Sequence, residues 1–419
     1  MNLVTTNNAS DEGAQLVSRS QQRMGKISRK PSNGPPSHLS AVQKRLPTSH
    51  QNCTRSTPPS VKPGAMVVQH NTSCPPLVHS NNSLHRVKCR EITKALSRAE
   101  QEYLVYEDIS WSDYNHILDR LKSNRDRKIW KRLTFFPGSR RLMVSSPSPI
   151  HESILVVIIS DIDGTLRTIP APQITLPRPG SSHYFEEDSI CGIPDLSIIM
   201  YGKGGEEGIR VPRVLWIMEN AFTQSDRDVM RKLKAYVCDH PDLLVVGKIL
   251  MKQTTRYRSP GSKASVARQL RSSELMTRGK WSNNYGNNQE FAEIVVDGHT
   301  WFSLSSVEIH VWVRQHGDPK VDLNCPDGDG YASGTLFPTV DLDNVDKAFW
   351  RGFQLTKEAI LRELIADKAS FDRVEQWSPP ARLLDPEVLS RSLADGAWDT
   401  AYQRYRSWYK KQKKLCGRG

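Results

Sequence analysis

Two acidic residues lie at apolar runs that have the character of buried strands. Asp195 stands directly before the run 196–199, and Glu219 follows the run 214–218. A carboxylate at such a position costs free energy unless a metal ion or a partner side chain compensates it. The pattern therefore predicts two strands of a core that carry a polar site. The alternative is local, with Asp195 opening a turn and Glu219 capping an adjacent helix.

Composition narrows the class of protein and the kind of partner. Only 37% of the 419 residues are hydrophobic, which predicts that part of the chain never packs. The net charge of +13 favours a polyanionic partner, and nucleic acid is the partner that we expect. Seven scattered cysteines without a Cys-x-x-Cys pair indicate neither a zinc site nor a disulfide framework. Without a signal-peptide pattern or a long apolar run, we expect an intracellular protein, cytoplasmic or nuclear, with no membrane partner.

The chain divides by composition into three parts. Residues 1–88 are rich in Ser, Asn, Pro and Thr and are predicted to form a disordered basic tail. Residues 89–375 are predicted to form one α/β domain with a core at about 131–252. Within this domain, the polar and basic segment at about 256–288 is interpreted as a mobile insertion. Residues 376–419 are interpreted as a basic, aromatic C-terminal tail.

Apolar periodicity and turn residues predict the elements of the domain. Gly138 is the centre of a predicted hairpin, and Ser225 is the predicted N-cap of a helix. Helical spacing predicts further helices over 97–106, 112–123, 150–169 and 345–364. Apolar or alternating runs predict further strands over 243–251, 301–304 and 307–313.

Six features follow one another in an order that one nuclease family shows. They are a hairpin with a central Gly, a Ser/Pro break, a helix opening with His-Glu, a Pro-Asp strand, a strand with Glu, and a helix with Asp-xxx-Lys-xxx-Tyr. In this chain they are Gly138, 146–149, His151 with Glu152, Pro194 with Asp195, Glu219, and Asp228 with Lys232 and Tyr236. This order resembles the PD-(D/E)XK nuclease superfamily, and within it a restriction endonuclease family widespread in bacteria. The resemblance implies an α/β fold with a restriction-endonuclease-like central mixed sheet flanked by helices, followed here by a C-terminal β and helix extension.

The resemblance also implies a chemistry and a set of site residues. It implies hydrolysis of nucleic-acid phosphodiesters with Mg²⁺ or Mn²⁺, because such ions activate water and stabilise an anionic transition state. Asp195 and Glu219 are the implied metal ligands and Glu152 a third acid. The superfamily's lysine usually stands two residues after Glu, where this chain has Ala221. Lys232 is then the substitute, assisted by Gln224.

The replacement by Ala221 leaves two further functions open. One is a non-enzymatic module on the same fold that binds nucleic acid or protein. Predicted nucleic-acid contacts are Arg256, Arg258, Lys410 and Lys411. Neither DNA nor RNA is favoured, and the oligomeric state stays open.

The second alternative is a phosphatase. The segment 161–165 resembles the first motif of the haloacid dehalogenase phosphohydrolases, which implies Asp161 as a nucleophile and Asp163 as a second acid. In that family a strand delivers the nucleophile. Here Ser148 and Pro149 form a helix start, and the apolar spacing that follows suits a helix as well as a strand.

Overall fold

The computed structural model describes residues 82–96, 103–123, 131–181, 183–202, 211–285, 291–325 and 327–416. All of them belong to one unit, Leu77–Gly419. The helices of these residues are α1 (Asn82–Leu96), α2 (Trp111–Ser123), α3 (Pro149–Arg167), α4 (Asp226–Asp239), α5 (Ser265–Ser272), α6 (Arg278–Tyr285), α7 (Asp343–Glu363), α8 (Lys368–Gln376) and α9 (Pro386–Cys416).

The strands form a large mixed sheet and two smaller antiparallel sheets. The mixed sheet has the order β13-β12-β9-β8-β7-β4, and the two others have the orders β1-β3-β2-β6-β5 and β10-β11. The strands are β1 (Tyr103–Tyr106), β2 (Arg132–Phe136), β3 (Arg141–Ser145), β4 (Arg178–Gly180), β5 (Phe185–Glu186), β6 (Cys191–Gly192), β7 (Leu196–Gly202), β8 (Val211–Ala221), β9 (Val245–Lys252), β10 (Glu293–Val296), β11 (His299–Ser303), β12 (Ser306–Val313) and β13 (Tyr331–Phe337).

The centre of the mixed sheet is buried on both faces. Strands β8 and β9 run parallel and are joined through α4, whereas the other neighbours in the sheet are antiparallel. One face packs against α3, α7 and α9, and the other packs against α4. Strands covered on both sides are apolar along their whole length. The charged residues Glu219 and Lys248 within β8 and β9 are therefore conspicuous, and the register places them side by side.

Many predicted elements are confirmed. Helix α2 and the hairpin of β2 and β3 lie where the sequence predicts them, and so do α3, β9, β12 and α7. Ser225 is the N-cap of α4, since its hydroxyl accepts a hydrogen bond from the Asp228 amide. The coarse prediction of a mixed α/β protein with a mixed sheet flanked by helices is thus confirmed.

Two predictions near the N-terminus need correction. The predicted disordered tail lies outside the described residues up to position 81, but 82–88 belong to helix α1. Cys89, Ile92 and Leu96 bury that helix against α2 and the five-stranded sheet. The predicted helix over 97–106 is wrong at its end, because Tyr103–Tyr106 pairs with β3 as strand β1.

Two segments of the C-terminal half pack more extensively than their composition indicates. The basic insertion at about 256–288 contains α5 and α6, which bury Leu270 and Trp281 in the main core. The basic, aromatic stretch 376–419 contains the helix α9, whose Tyr405 and Trp408 are buried in the same core. Aromatic residues at helical spacing form a packed face here, and they are not free to stack on bases.

Within the described ranges, no helix combines the length and the apolar character that crossing a membrane requires.

Candidate active site

The two predicted acids meet at the junction of β7 and β8. The antiparallel register pairs Leu196 with Met218, so Asp195, one residue earlier, lies across from Glu219. Residues directly opposite in such a pair have Cβ atoms about 4.5–5.5 Å apart. Both acids are buried, with 4% and 1% of their surface exposed. The sequence prediction that both acids belong to strands is confirmed for Glu219, while Asp195 directly precedes its strand.

Asp195 is held by three donors from three different elements. The Arg132 guanidinium, at the start of β2, forms an ion pair with Oδ1. His151 Nε2, in the first turn of α3, lies 3.2 Å from Oδ2, and the backbone N–H of Asn220 donates to Oδ2 at 2.6 Å. Each donor offsets part of the cost of burying the carboxylate.

Glu152 joins the same network from the solvent side. Arg132 Nη2 lies 3.3 Å from Glu152 Oε1, and His151 Nδ1 lies 3.1 Å from that atom. The hydrogen bond with His151 and the charge of Arg132 lower the pKa of Glu152, although partial burial opposes the shift. The Glu152 carboxyl is therefore an anion at neutral pH. His151 links the two acids, since each of its ring nitrogens faces one of them.

Glu219 has a different partner, which comes from α4. Lys232 Nζ lies 3.0 Å from Glu219 Oε2, and the two side chains are 5% and 1% exposed. Among the described residues, no donor lies within 3.5 Å of Glu219 Oε1 in good geometry, although the Tyr236 hydroxyl is near enough to interact with this carboxylate. Tyr236 lies one turn further along α4, where burial and then the charge of Glu219 raise its pKa, so its hydroxyl stays protonated. Buried Lys232 is therefore the cation beside Glu219, although Ala221 occupies the position two residues after this acid.

Asn220 and Gln224 line a small recess beside His151. Asn220 Nδ2 donates to the His151 carbonyl at 2.6 Å, which fixes the first turn of α3 against β8. The side-chain oxygens Oδ1 of Asn220 and Oε1 of Gln224 are buried and meet no donor within the part of the chain that is described. Because neighbouring strand residues point to opposite faces, Asn220 faces α3 while Glu219 faces α4.

Asp228, the first residue of the predicted Asp-xxx-Lys-xxx-Tyr helix motif, has a structural role. It accepts a hydrogen bond from Arg141 Nη2 at 3.0 Å and one from Ser225 Oγ at 2.8 Å. These contacts tie the start of α4 to the hairpin of β2 and β3. They fix the helix rotation that turns Lys232 and Tyr236 toward Glu219.

The structure gathers some predicted site residues and separates others. Asp195, Glu219, Lys232 and Glu152 come together, and Gln224 borders the same region through His151. The predicted nucleic-acid contacts do not line this recess. Arg256 and Arg258 line a different cleft, and Lys410 and Lys411 are exposed on α9.

Three residues at the site escaped prediction from the sequence. Nothing in the local sequence indicates a site role for Arg132, which is one of many arginines in a basic chain. The same holds for Asn220, which is a neutral side chain next to Glu219. Lys248 did carry a signal, because it is the lone charge in the apolar run 243–250. It is paired in register with Glu219, and its Nζ lies 2.5 Å from Asp226 Oδ1.

The residues of the phosphatase motif lie in a helix. Asp161 and Asp163 belong to α3, and Asp163 forms a surface ion pair with Arg167 at 2.7 Å. Burial and the charge of Asp385 raise the pKa of Asp161. A nucleophile in the resembled phosphatase family follows a strand, so the helical placement is the physical reason for setting the phosphatase alternative aside.

Comparison with known proteins adds no family. A scan against models of protein families finds no match to this chain, and a search of curated proteins finds none either. What this site does is therefore argued from its residues, their burial and their charges.

Proposed function

We propose that the chain is a Mg²⁺- or Mn²⁺-dependent nuclease that hydrolyses phosphodiester bonds of nucleic acid on a restriction-endonuclease-like fold. One observation carries the proposal: Lys232 reaches Glu219 from α4, opposite Asp195, and so supplies the lysine that position 221 lacks. Two carboxylates can hold a metal ion that activates water, and a lysine beside them can stabilise negative charge on the phosphate. Cys191, Cys238 and Cys325 form no disulfide among the described residues, which agrees with a reducing compartment, the cytoplasm or the nucleus.

The donor set fits a hard divalent cation. Such ions prefer carboxylate and amide oxygens, and Glu219 Oε1 is a buried carboxylate oxygen that only the Tyr236 hydroxyl approaches among the described residues. Asp195 and Glu219 would hold the ion, with Glu152 close to Asp195. When bound, the ion lowers the pKa of water and stabilises negative charge on phosphate. Lys232 would hold Glu219 in place and add positive charge near the negative charge that develops on the phosphate oxygens in the transition state.

His151 and Arg132 have positioning roles in this proposal. His151 bridges Asp195 and Glu152, so it fixes the distance between a buried acid and a half-exposed one. Arg132 contacts the same two carboxylates and compensates their charge. Arg132 would therefore compete for the Asp195 carboxylate with any divalent cation bound there.

This competition yields a prediction for Arg132→Met. The variant is expected to melt at a lower temperature than the wild type in EDTA, because Asp195 loses an ion-pair partner. It is expected to gain more thermal stability than the wild type when Mg²⁺ is added, since the ion no longer displaces an arginine. Thermal unfolding across a Mg²⁺ titration measures both effects. Equal gains in the two proteins would show that Mg²⁺ does not bind at Asp195.

The nuclease itself is tested by cleavage assays on full-length protein. Labelled DNA and RNA are incubated with Mg²⁺, Mn²⁺ or EDTA, using the wild type, Asp195→Asn and Glu219→Gln. Both variants are expected to lower the cleavage rate by about 100-fold or more, as the loss of an essential electrostatic group does. Asp188→Asn and Glu186→Gln change exposed acids and serve as matched controls. Metal-dependent cleavage that survives both site substitutions would refute the assignment.

One observation favours a second candidate, a binding module without turnover. Both Asp195 oxygens already accept bonds from Arg132, His151 and the Asn220 amide, and Glu219 is paired with Lys232. The buried acids are thus compensated by protein groups alone. This candidate predicts salt-sensitive binding of nucleic acid with no cleavage in either metal.

A further inference from the structure

A basic cleft lies beside the candidate active site and is not part of it. It has a volume of about 530 Å³ and opens between the segment after β9, the strand β11 and the helix α9. Arg256 and Arg258 stand at its edge and are exposed, whereas Arg404 on α9 is only 6% exposed. Among the described residues that line it, none is acidic. The cleft therefore carries a concentrated positive charge that suits an anion.

Arg404 is built into the cleft. Its Nη1 donates to Gln253 Oε1 and to the Trp301 carbonyl, both at 3.2 Å. Its Cζ lies 4.4 Å from the centre of the Tyr257 ring and 5.8 Å from that of Phe302. These contacts fix one guanidinium in a single position before any ligand arrives, which lowers the entropic cost of binding.

Aromatic side chains give the cleft a second kind of surface. Tyr257 and His299 line it and are both partly exposed, with ring centres 6.4 Å apart. Proteins that bind single-stranded nucleic acid often place aromatic rings beside arginines, because the bases stack on the rings while the phosphates pair with the cations. A purely phosphate-binding surface has no need of these rings.

One aromatic pair separates the cleft from the candidate active site. Phe222 lines the recess that contains His151 and Gln224, and it stacks on Phe302 of the cleft at 5.8 Å. Arg404 also lies against the Phe222 ring, at 5.5 Å. A nucleic-acid strand bound in the cleft would therefore be separated from the recess mainly by the rings of Phe222 and Phe302.

We propose that this cleft binds an unpaired nucleotide of a nucleic-acid strand. Arg256 and Arg258 contact the phosphate, Arg404 supplies fixed positive charge at the floor, and the base lies against Tyr257 and His299. A cleft of about 530 Å³ has the size of a site for one or two nucleotides. The proposal takes its ligand class from the proposed function, and it names single-stranded nucleic acid as the form that is bound.

Binding by full-length protein in EDTA tests the proposal separately from catalysis. Fluorescence anisotropy of a labelled single-stranded oligonucleotide compares the wild type with Arg256→Glu/Arg258→Glu and with Tyr257→Leu. We expect a loss of affinity of about tenfold or more for the double reversal and of about fivefold or more for Tyr257→Leu. Lys347→Glu/Arg391→Glu reverses two exposed charges that do not line the cleft and is expected to change affinity much less. Circular dichroism confirms that each variant is folded.

Two results would overturn the proposal. One is an equal loss of affinity in the Lys347→Glu/Arg391→Glu control, which would show attraction to a general basic surface. The other is tighter binding of the same sequence as a duplex, because paired and stacked bases are not free to stack on Tyr257 and His299. Because no divalent metal is present, failure of Asp195 and Glu219 to support cleavage leaves this binding result unaffected.

Discussion

Lys232→Met is expected to lower the free energy of unfolding by about 3–5 kcal/mol, the range for breaking a buried ion pair from one side. The Glu219 carboxylate, 1% exposed, would then remain buried without its cation. Combining Lys232→Met with Glu219→Gln should recover much of the loss, because neither charge is left. Equilibrium unfolding in urea of the two single variants and the double variant gives the coupling energy of the pair.

The helix itself offers a matched control for Lys232. Lys234 lies two residues further along α4 and is exposed, so Lys234→Met should change the unfolding free energy by no more than about 0.5 kcal/mol. Losses below about 1 kcal/mol for Lys232→Met, or a double variant no better than the single, would contradict a strong buried pair. The folded double variant also separates catalysis from stability, since it should be stable and unable to cleave.

The sequence predicts the strands of the site and one of its partners because those signals are local. Asp195 and Glu219 are each a single acid beside an apolar run, and this pattern is visible in the sequence however the strands pack. The spacing from Ser225 to Lys232 follows from one capped helix, which predicts that Lys232 and Tyr236 share a face. Only their orientation toward Glu219 needs the tertiary fold.

The rest of the network could not be predicted, because its contacts join distant parts of the chain. Arg132 precedes Asp195 by 63 positions in the sequence, and only the docking of the β2–β3 hairpin brings them together. Many arginines of this chain stand among charged and polar residues, so their local sequence looks the same as that of Arg132. Nothing in the neighbourhood of Arg132 distinguishes it from the others.

The additional packing in the C-terminal half has a common physical cause. Helix α6 is mostly polar, and one buried tryptophan, Trp281, gives no helical periodicity. Trp281 is buried because it stacks on Tyr405 of α9, with ring centres 5.0 Å apart. The burial of α6 depends on α9 and that of α9 depends on α6. The composition of each segment taken alone therefore predicts that it is exposed. Reciprocal packing between distant segments is the information that a local pattern lacks.

The packing of α9 on α3 connects this part of the fold to the site. Helix α3 has no side-chain cap of its own, and the Ile150 amide instead donates to Thr400 Oγ1 of α9 at 3.0 Å. Ser392 Oγ donates to the Ser153 carbonyl at 2.8 Å. The first turn of α3 carries His151 and Glu152, so α9 holds in place the turn that contacts Asp195.

Gly396→Ala should therefore destabilise the protein by about 1–3 kcal/mol, as overpacking of a close contact does. A Cβ at Gly396 would lie 2.8 Å from Ile150 Cα and would also meet the Ser153 side chain, so one of the two helices must move. Gly164→Ala is the matched control, because nothing lies within 4 Å of a Cβ there. It should stabilise α3 by up to about 1 kcal/mol, the difference in helix propensity between the two residues. Unfolding in urea measures both signs, and a stabilising effect of Gly396→Ala would show that α9 does not pack closely on α3.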